Sequence, residues 1–462
     1  TWNESGPELH FFAALSLVAL GMGVLTLADS LLRRVSALYV VMMPIAALAQ
    51  ESPAPPPMDK ADTVWLIVSS ALVLLMVPGL ALFYGGMVRR QNVLSTMLHS
   101  FVLMGTITVL WFALGYTLAF GPSTGWIGGL DNAMGNGVSM LEVASGLTIP
   151  QGVFLLFQMM FAIITPALIS GAIAERMRFG AYLLFTALWS LLVYAPVACW
   201  VWNAEGWLFK LGALDFAGGT VVHLASGVAA LAACLALGPR RVVQHKEPVM
   251  PNNLTLTLLG AGLLWFGWFG FNSGSAYAVN DIAVRAFLTT QLAAGAGLLG
   301  WLLLEKMRYG KATALGAASG LVAGLVGITP GAGFVEPGSA LLIGFLAGAV
   351  CQLAVSLKSK LGFDDSLDVV GVHGAGGLLG ALLTGVFASA AANPVAEAAL
   401  EGGRGGLIVK QLAAVGAVGV YAFVVSFVLM KAVQVVTKVR ADEEEEAIGL
   451  DLTLHGEAGY NL

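Results

Sequence analysis

Long hydrophobic stretches follow one another along the chain after Lys60, separated by short polar connections. A transmembrane helix needs about 20 consecutive apolar residues, so each stretch of this length predicts a membrane-spanning helix. Eleven spans are predicted, at residues 63–87, 93–119, 151–174, 180–201, 216–238, 252–276, 284–304, 312–329, 338–357, 369–389 and 405–436. The pattern therefore predicts an all-α polytopic membrane protein.

Lysine and arginine are concentrated in every second connection, which predicts the topology of these spans. The connections after spans 1, 3, 5, 7 and 9 and the segment after span 11 hold Arg89, Arg90, Arg176, Arg178, Arg240, Arg241, Lys246, Lys306, Arg308, Lys311, Lys358, Lys360, Lys438 and Arg440. The other connections hold mainly Lys210, Arg285 and Arg404. Because positive charge stays in the cytoplasm, we expect the N-terminus outside and the C-terminus inside. Spans 1–5 and 6–10 then form an inverted five-helix repeat, followed by a final helix.

The region before the first span has the pattern of a targeting segment. Residues 33–49 resemble a secretory signal peptide, with Arg33 and Arg34 before an apolar stretch and a cleavage site before Gln50. A short membrane helix is the alternative, but Pro44 and the Pro-rich outer segment 50–62 disfavour it. Residues 1–32 are either an additional membrane helix or an upstream extension absent from the native protein, and we favour the extension. The membrane domain then covers residues 63–436 and a cytoplasmic tail covers 437–462.

Composition agrees with this assignment and excludes several functions. Hydrophobic residues make up 58% of the chain and charged residues 11%, whereas soluble domains carry about 25% charge. The three cysteines lie in apolar stretches and are interpreted as core residues, and the chain has no CxxC or Walker motif. We therefore expect neither an enzyme nor ATP-driven transport, with no cofactor, no metal site and no nucleic-acid partner.

Two histidines occupy matching positions in the predicted halves. His223 in VHLASG aligns with His373 in VHGAGG, and each segment follows an aspartate, Asp215 and Asp368. Each histidine alone could be a satisfied polar group, but a pair in matching repeats favours function because ionisable groups at membrane depth are costly. The small-residue faces Gly376/Gly380 and Ser226/Ala230 predict a close crossing. Two neutral imidazoles offer a donor or an acceptor to a small neutral molecule and poorly solvate a permanent cation.

The polar and aromatic residues near one end of these helices suggest a cation site. Asp215 and Asp368 are predicted helix N-caps, and Asp215 could also stabilise a cation arriving from outside. Aromatic residues cluster at a similar level, and Ser275 supplies a hydroxyl among them: Phe157, Phe161, Trp202 and Phe271. Such aromatics usually belong to the core or the interface belt, but together with the hydroxyl they suggest a cation–π site.

Several motifs carry a resemblance to a known family. They are ADTVWLIVSSALVLLMVPGLALFYGGMVRRQNVLS, FQMMFAIITPALISGAIAERMRF, DFAGGTVVH, GWFGFNSGSA and DDSLDVVGVHGAGG. From about Lys60 onward the chain resembles the ammonium transporter (Amt/methylammonium permease/Rhesus) family, in its bacterial Amt branch. The resemblance implies a homotrimer in the bacterial inner membrane, with methylammonium as a substrate analogue.

The same resemblance implies roles for individual residues. Phe161, Trp202 and Ser275 would form the outer ammonium site, with Asp215 as the outer aspartate. Phe161 and Phe271 would form a gate, and His223 and His373 would line the pore. We expect ammonium to be captured and deprotonated outside, and ammonia to cross the pore. The alternatives are a passive ammonia channel of Rhesus type and an ammonium sensor with little flux.

The C-terminal tail contains a second candidate site. The acidic run Glu443 to Glu446 is expected to be a solvated linker. The following GLDLTLHGEAGY resembles the family's tail segment that contacts PII-type nitrogen-signalling proteins. Its candidate residues are Gly449, Leu450, Asp451, His455, Gly456 and Tyr460, with His455 structural and not a metal ligand.

Overall fold

A computed structural model describes residues 57–460, which form helices and connecting loops with three isolated β-bridges. Ten helices of these residues are long and apolar enough to cross a membrane. With one shorter apolar helix, α8, they are α1 (Lys60–Met87), α2 (Arg90–Phe120), α3 (Gln151–Ile173), α4 (Phe179–Leu211), α5 (Gly219–Leu237), α6 (Leu254–Gly274), α7 (Asp281–Tyr309), α8 (Ala314–Ile328), α9 (Pro337–Leu361), α10 (Val370–Phe387) and α11 (Gly403–Val436). The predicted all-α polytopic membrane fold is confirmed.

The predicted spans match these helices, with two differences. The eighth predicted span is α8, which has 15 residues and is shorter than a usual spanning helix of about 20. The fourth continues past its predicted end to Leu211, through a turn at Asn203 whose side-chain amide bonds the carbonyls of Ala119 and Gly121. The predicted extension 1–32 and signal peptide 33–49 lie outside the described residues.

Small residues determine how the helices pack. The first helices of the two predicted halves, α1 and α6, lie against each other. A side chain at Gly260 would collide with the backbone of Phe83 and Gly79 on α1. Helices in lipid pack by close backbone approach at small residues, which is one use of the abundant glycine in this chain.

A buried ion cluster connects the loops at the basic end of the helices. The Arg240 guanidinium bonds both Asp364 oxygens, each at 2.8 Å, and reaches Glu175 Oε2 at 2.9 Å. Arg89 also binds Glu175, and Arg176 lies 3.5 Å from Asp364. Burial raises the pKa of Asp364, but Arg240 outweighs it and holds that pKa at about 2. The carboxylates therefore remain ionised, and the cluster fixes the loops before α4, after α5 and before α10.

The tail folds onto this same end of the membrane domain. It forms two short helices, α12 (Glu443–Ile448) and α13 (Leu450–His455). Glu446 is fully buried, where it bonds Arg440 Nε at 2.7 Å and the Arg241 amide at 2.8 Å. The expectation of a solvated acidic linker is therefore wrong for Glu446, because two arginine-bearing segments meet its carboxylate. It is also wrong for Glu445, which completes a capping box with Asp442.

Candidate functional site

The two predicted pore histidines contact each other inside the helix bundle. The Nδ1 atoms of His223 and His373 are 3.2 Å apart and the ring centroids 5.2 Å apart. Both residues are buried, and His223 Nε2 has no hydrogen-bond partner among the described residues. A shared Nδ1···Nδ1 hydrogen bond requires one ring to donate and the other to accept. The remaining Nε2 atoms therefore present one acceptor and one donor.

Each histidine lies in a π-helical turn, Gly219–Leu224 in α5 and Val370–Gly374 in α10. Such turns widen the helix locally and occur often at functional sites. The helices cross where Gly227 meets the backbone of Gly374, and Gly377 lies against His223. The close crossing was predicted from other small residues, namely Gly376 and Gly380 in α10 and Ser226 and Ala230 in α5. Gly376 and Gly380 instead face Val326 and Gly327 of α8.

Asp215 caps the turn that carries His223. Its two carboxylate oxygens accept from the backbone amides of Gly218, Gly219, Thr220 and Val221 at 2.7–3.1 Å. Burial raises the pKa of this carboxyl, and the four amides oppose the shift. The geometry fits the predicted helix cap, and with both oxygens occupied Asp215 acts on the site mainly by positioning its neighbours.

The corresponding cap of the His373 turn is Asp365, which corrects the prediction of Asp368. Asp365 Oδ2 accepts from the Val370 amide at 2.7 Å, the same five-residue step as from Asp215 to Thr220. Asp368 instead forms an ion pair with Lys358 and has a positive φ of 65°. The missed signal was the spacing, since Asp365 precedes His373 by eight residues, as Asp215 precedes His223.

Burial of this second cap predicts a pH effect on stability. Burial raises the pKa of Asp365 to about 6, above the ordinary value of about 3.9. The native state therefore favours the protonated carboxyl, and this contribution is full below about pH 4 and lost as pH rises through 6. Over that pH window we expect the free energy of unfolding of the wild-type protein to fall by up to about 3 kcal/mol relative to that of Asp365→Asn. Thermal unfolding in detergent at stepped pH measures the difference, and parallel curves for the two proteins would contradict it.

Two small cavities adjoin the histidine pair. The first runs from Phe271 to His373 and has free space close to that of one water molecule. Its wall is apolar apart from the imidazoles and the Trp268 indole, whose N–H is bonded to Thr329 at 2.9 Å. The second begins at His373 and reaches Tyr84, Ser319 and Asp368. His373 thus borders both cavities, of which the first is apolar and the second is partly polar.

Aromatic rings in contact with each other lie at the Phe271 end of the first cavity. Phe161 and Phe271 lie 4.3 Å apart between ring centroids, and both are buried. Trp202 meets Phe161 edge-on at 5.8 Å and donates its indole N–H to the Asp215 carbonyl at 2.9 Å. Ser275 donates to the Phe271 carbonyl at 2.8 Å. The structure thus brings Phe161 against both Phe271 and Trp202, and anchors Ser275 on the backbone of Phe271.

Further aromatic residues join this group beyond those predicted as site residues. Phe157 contacts Phe161 at 5.0 Å, and Tyr277 contacts Phe157 at 5.8 Å. Trp268 stacks on His223 at 5.4 Å. The sequence already groups Phe157 with these aromatics, and helical spacing could also have indicated Trp268, because it lies one turn before Phe271.

The predicted tail residues hold the tail against the membrane domain. Asp451 accepts from the amides of Leu94 and Ser95 at the start of α2, at 3.1 and 2.8 Å. The Leu450 amide donates to Asn92, His455 packs on Phe179, and Tyr460 donates to Asn252. Gly449 and Gly456 have positive φ values of 110° and 67°, which suit glycine at these turns. His455 thus has a packing contact with Phe179.

Comparisons with known proteins show what this chain is similar to. A family model described as Ammonium Transporter Family matches residues 64–460. An ammonium transporter of Bacillus subtilis is 51% identical over 87% of this chain and 99% of its own length. A putative ammonium transporter of Methanothermobacter thermautotrophicus is 47% identical over 88% of this chain and 99% of its own length.

Solved structures give the same picture. The crystal structure of Saccharomyces cerevisiae Mep2 is similar with a TM-score of 0.78 and 40% identity, covering 84% of this chain and 88% of that one. A protein described as a sensor Amt protein is similar with a TM-score of 0.79 and 30% identity, covering 86% and 98%.

Proposed function

This chain belongs to the ammonium transporter family, and we propose that it captures ammonium at the aromatic site, removes a proton and conducts ammonia past His223 and His373. It is a multi-pass membrane transport protein and not an enzyme. The observation that carries the proposed mechanism is the pair of bonded imidazoles that borders a narrow apolar cavity, with the contacting rings of Phe161 and Phe271 at its end.

The aromatic site has the groups needed to replace part of the hydration of a cation. Ring faces of Phe161 and Trp202 attract ammonium by about 0.5–2 kcal/mol, and the Ser275 hydroxyl offers an oxygen lone pair. Asp215 supports the site indirectly, since its carbonyl holds the Trp202 indole while its carboxylate holds the His223 turn. Asp215 therefore positions both Trp202 of the aromatic site and the turn that carries His223.

The cavity beyond the gate favours ammonia over ammonium. An unpaired cation in such an apolar space loses far more hydration energy than two neutral imidazoles return. Ammonia can both donate to and accept from the two free Nε2 positions. The Phe161 and Phe271 rings are in contact, so their side chains rotate for each passage and exclude bulk water between events.

A current measurement tests the proposal as a whole. Addition of ammonium to proteoliposomes on a solid-supported membrane should give a transient current if the proton removed from the captured ammonium also crosses the membrane, separately from ammonia; if that proton is released to the outside, uptake carries no current. The passive-channel alternative gives ammonia uptake without current, and the sensor alternative gives binding with little uptake. Because a sensor Amt protein is among the similar structures, binding and uptake should both be measured to test the sensor alternative.

Trp202→Leu should weaken capture without changing selectivity. Loss of one ring face corresponds to roughly a 2- to 30-fold rise in the half-saturating methylammonium concentration. Uptake kinetics in cells or vesicles measure this change. Trp126→Leu is the matched control, because Trp126 is 59% exposed in the loop that packs on Trp200. If the two variants have the same half-saturating methylammonium concentration, Trp202 is not part of the capture site.

We further propose a homotrimer in a bacterial inner membrane, with the aromatic site outside and the tail in the cytoplasm. The distribution of lysine and arginine supports this orientation, because the Arg89, Arg176 and Arg240 segments lie together at the tail end. Cysteine labelling from either side of the membrane would test it.

The docked tail is proposed as the binding segment for a PII-type protein. Deletion of residues 449–460 should abolish retention of a PII-type protein on the immobilised transporter, since Leu452 and Glu457 of this segment are exposed. Asp451→Ala, which removes the bonds to α2, should weaken retention less. Undiminished retention after the deletion would refute the assignment.

A further inference from the structure

The second cavity beside the histidine pair is bordered by an aspartate with an unusual backbone conformation. Asp368 lines this cavity together with His373, Tyr84 and Ser319. Its φ of 65° lies in the left-handed region, which few residues other than glycine adopt. Such conformations persist where the surrounding structure determines them, and they are frequent at functional sites. The conformation therefore marks Asp368 as a candidate functional residue of the cavity.

The partner of Asp368 is a lysine in the last turn of α9. The Nζ atom of Lys358 forms an ion pair with the Asp368 carboxylate and donates to the Asp365 carbonyl at 2.8 Å. The Asp365 carboxylate accepts from the Val370 amide. One carboxylate and one backbone carbonyl thus hold the lysine ammonium group. The side chains of Lys358 and Asp368 are each 29% exposed, so water reaches the pair.

The group that these oxygens bind has the chemistry of the proposed substrate. The lysine side chain ends in a primary ammonium with three N–H donors, which is also the donor group of methylammonium. Oxygens that hold this group are suited to ammonium itself. The lysine is tethered to the chain, and a group on a short flexible tether has an effective concentration in the millimolar range or above. Ammonium in solution must therefore compete with Lys358 for Asp368.

An unpaired carboxylate at this position would slow the release of the product. This step rests on the proposed function, in which ammonia leaves the histidine pair and regains a proton where water reaches it. The ammonium formed beside Asp368 would be attracted to a free carboxylate, since opposite charges attract more strongly in a partly buried place than in bulk water. Lys358 prevents this attraction by filling the position.

We propose that the Asp368 carboxylate and the Asp365 carbonyl form an inner ammonium site that Lys358 occupies, so that transported ammonium is released and not retained. The ordinary alternative is an ion pair that only links α9 to the loop before α10. A purely structural pair is broken equally by loss of either partner. The inner site is instead opened by loss of Lys358 and abolished by the further loss of Asp368.

A binding measurement tests the site without any flux. Thermal unfolding in detergent is followed with ammonium chloride or with sodium chloride at the same ionic strength. Lys358→Gln should show a larger ammonium-dependent rise in unfolding midpoint than wild type, because it gains a second site for the cation. Adding Asp368→Asn should return the rise to the wild-type value. Lys360→Gln, which removes an exposed lysine from the same turn, should match wild type. Equal ammonium-dependent rises in Lys358→Gln and wild type would overturn the proposal.

Inhibition from the inside tests the effect on release. Methylammonium uptake is measured in proteoliposomes loaded with increasing ammonium. The internal ammonium concentration that halves uptake should fall at least about tenfold in Lys358→Gln, because a tethered competitor has been removed. It should return to the wild-type value in Lys358→Gln combined with Asp368→Asn, and Asp368→Asn alone should keep that value.

The outcomes of the two experiments separate the inner site from its alternatives. If Lys358→Gln, Asp368→Asn and the double variant lose uptake alike, the pair is only a structural link and the proposal is wrong. The unfolding measurement needs no transport. Absence of uptake by wild type would therefore refute the proposed function, whereas absence of an additional ammonium effect in Lys358→Gln would refute the inner site.

Discussion

His223→Asp should turn the ammonia path into one that carries K⁺. The substitution places a carboxylate in a cavity whose only polar groups are the imidazoles and one indole. A unit negative charge about 4 Å from a cation lowers its energy by roughly 4 kcal/mol at an effective dielectric constant of 20. That energy corresponds to nearly a thousandfold in occupancy. We expect a K⁺ current at least about tenfold above that of the unsubstituted protein, measured across a K⁺ gradient in proteoliposomes.

A neutral control separates charge from size in this experiment. His223→Gln keeps a donor and an acceptor but adds no charge, so it should pass ammonia or methylammonium and exclude K⁺. If His223→Asp stays impermeable to K⁺ with unchanged methylammonium uptake, the histidine pair is not the selectivity element. If the glutamine variant leaks K⁺ equally, a change in cavity width and not the introduced carboxylate charge admits K⁺.

The sequence predicted the histidine pair because two strong constraints act on it. A charged or polar side chain is rare at membrane depth, so two histidines stand out among apolar neighbours without any structural knowledge. Their matching positions in the two predicted halves then indicated that the two histidines lie close together. The bonded rings of His223 and His373 agree with that prediction. The long apolar helices were predictable for a separate reason, because bilayer thickness sets the length of a spanning helix.

The capping aspartate of the second half was misassigned for a local reason. Asp365 and Asp368 lie three residues apart before α10, and propensity favours either as a cap. The choice depends on the backbone, since Asp368 adopts positive φ and turns its carboxylate to Lys358. Only the eight-residue spacing to the histidine distinguishes them from sequence.

The acidic run and the ion cluster could not be predicted because their partners are remote in sequence. Glu446 is buried by contacts with Arg440 and with the Arg241 amide, and the Arg240–Asp364 pair joins positions 124 residues apart. From the sequence alone, each of these charged residues lies in a polar connection and is expected to be solvated. Their burial results from the packing of α3, α5, α10 and the tail at one end of the bundle.

Asp364→Leu should strongly destabilise the protein. It leaves the buried guanidinium of Arg240 without its two-oxygen partner and removes the charge facing Arg176. Breaking one side of a buried ion pair costs about 3–5 kcal/mol, which for a domain of this size lowers the unfolding midpoint by roughly 5 °C or more. Thermal unfolding in one detergent measures the shift. Glu205→Gln, which breaks the exposed pair with Lys210, should change stability by about 0–1 kcal/mol.

Replacing both partners decides whether the loss comes from the unpaired charge. Asp364→Leu combined with Arg240→Met removes the uncompensated guanidinium, and apolar replacement of a buried pair is often nearly neutral. Glu175 retains Arg89 in this variant. The double variant should therefore be more stable than Asp364→Leu alone. If it is less stable, Arg240 still stabilises the fold without Asp364, through its ion pair with Glu175, and the loss in Asp364→Leu does not come from an unpaired charge.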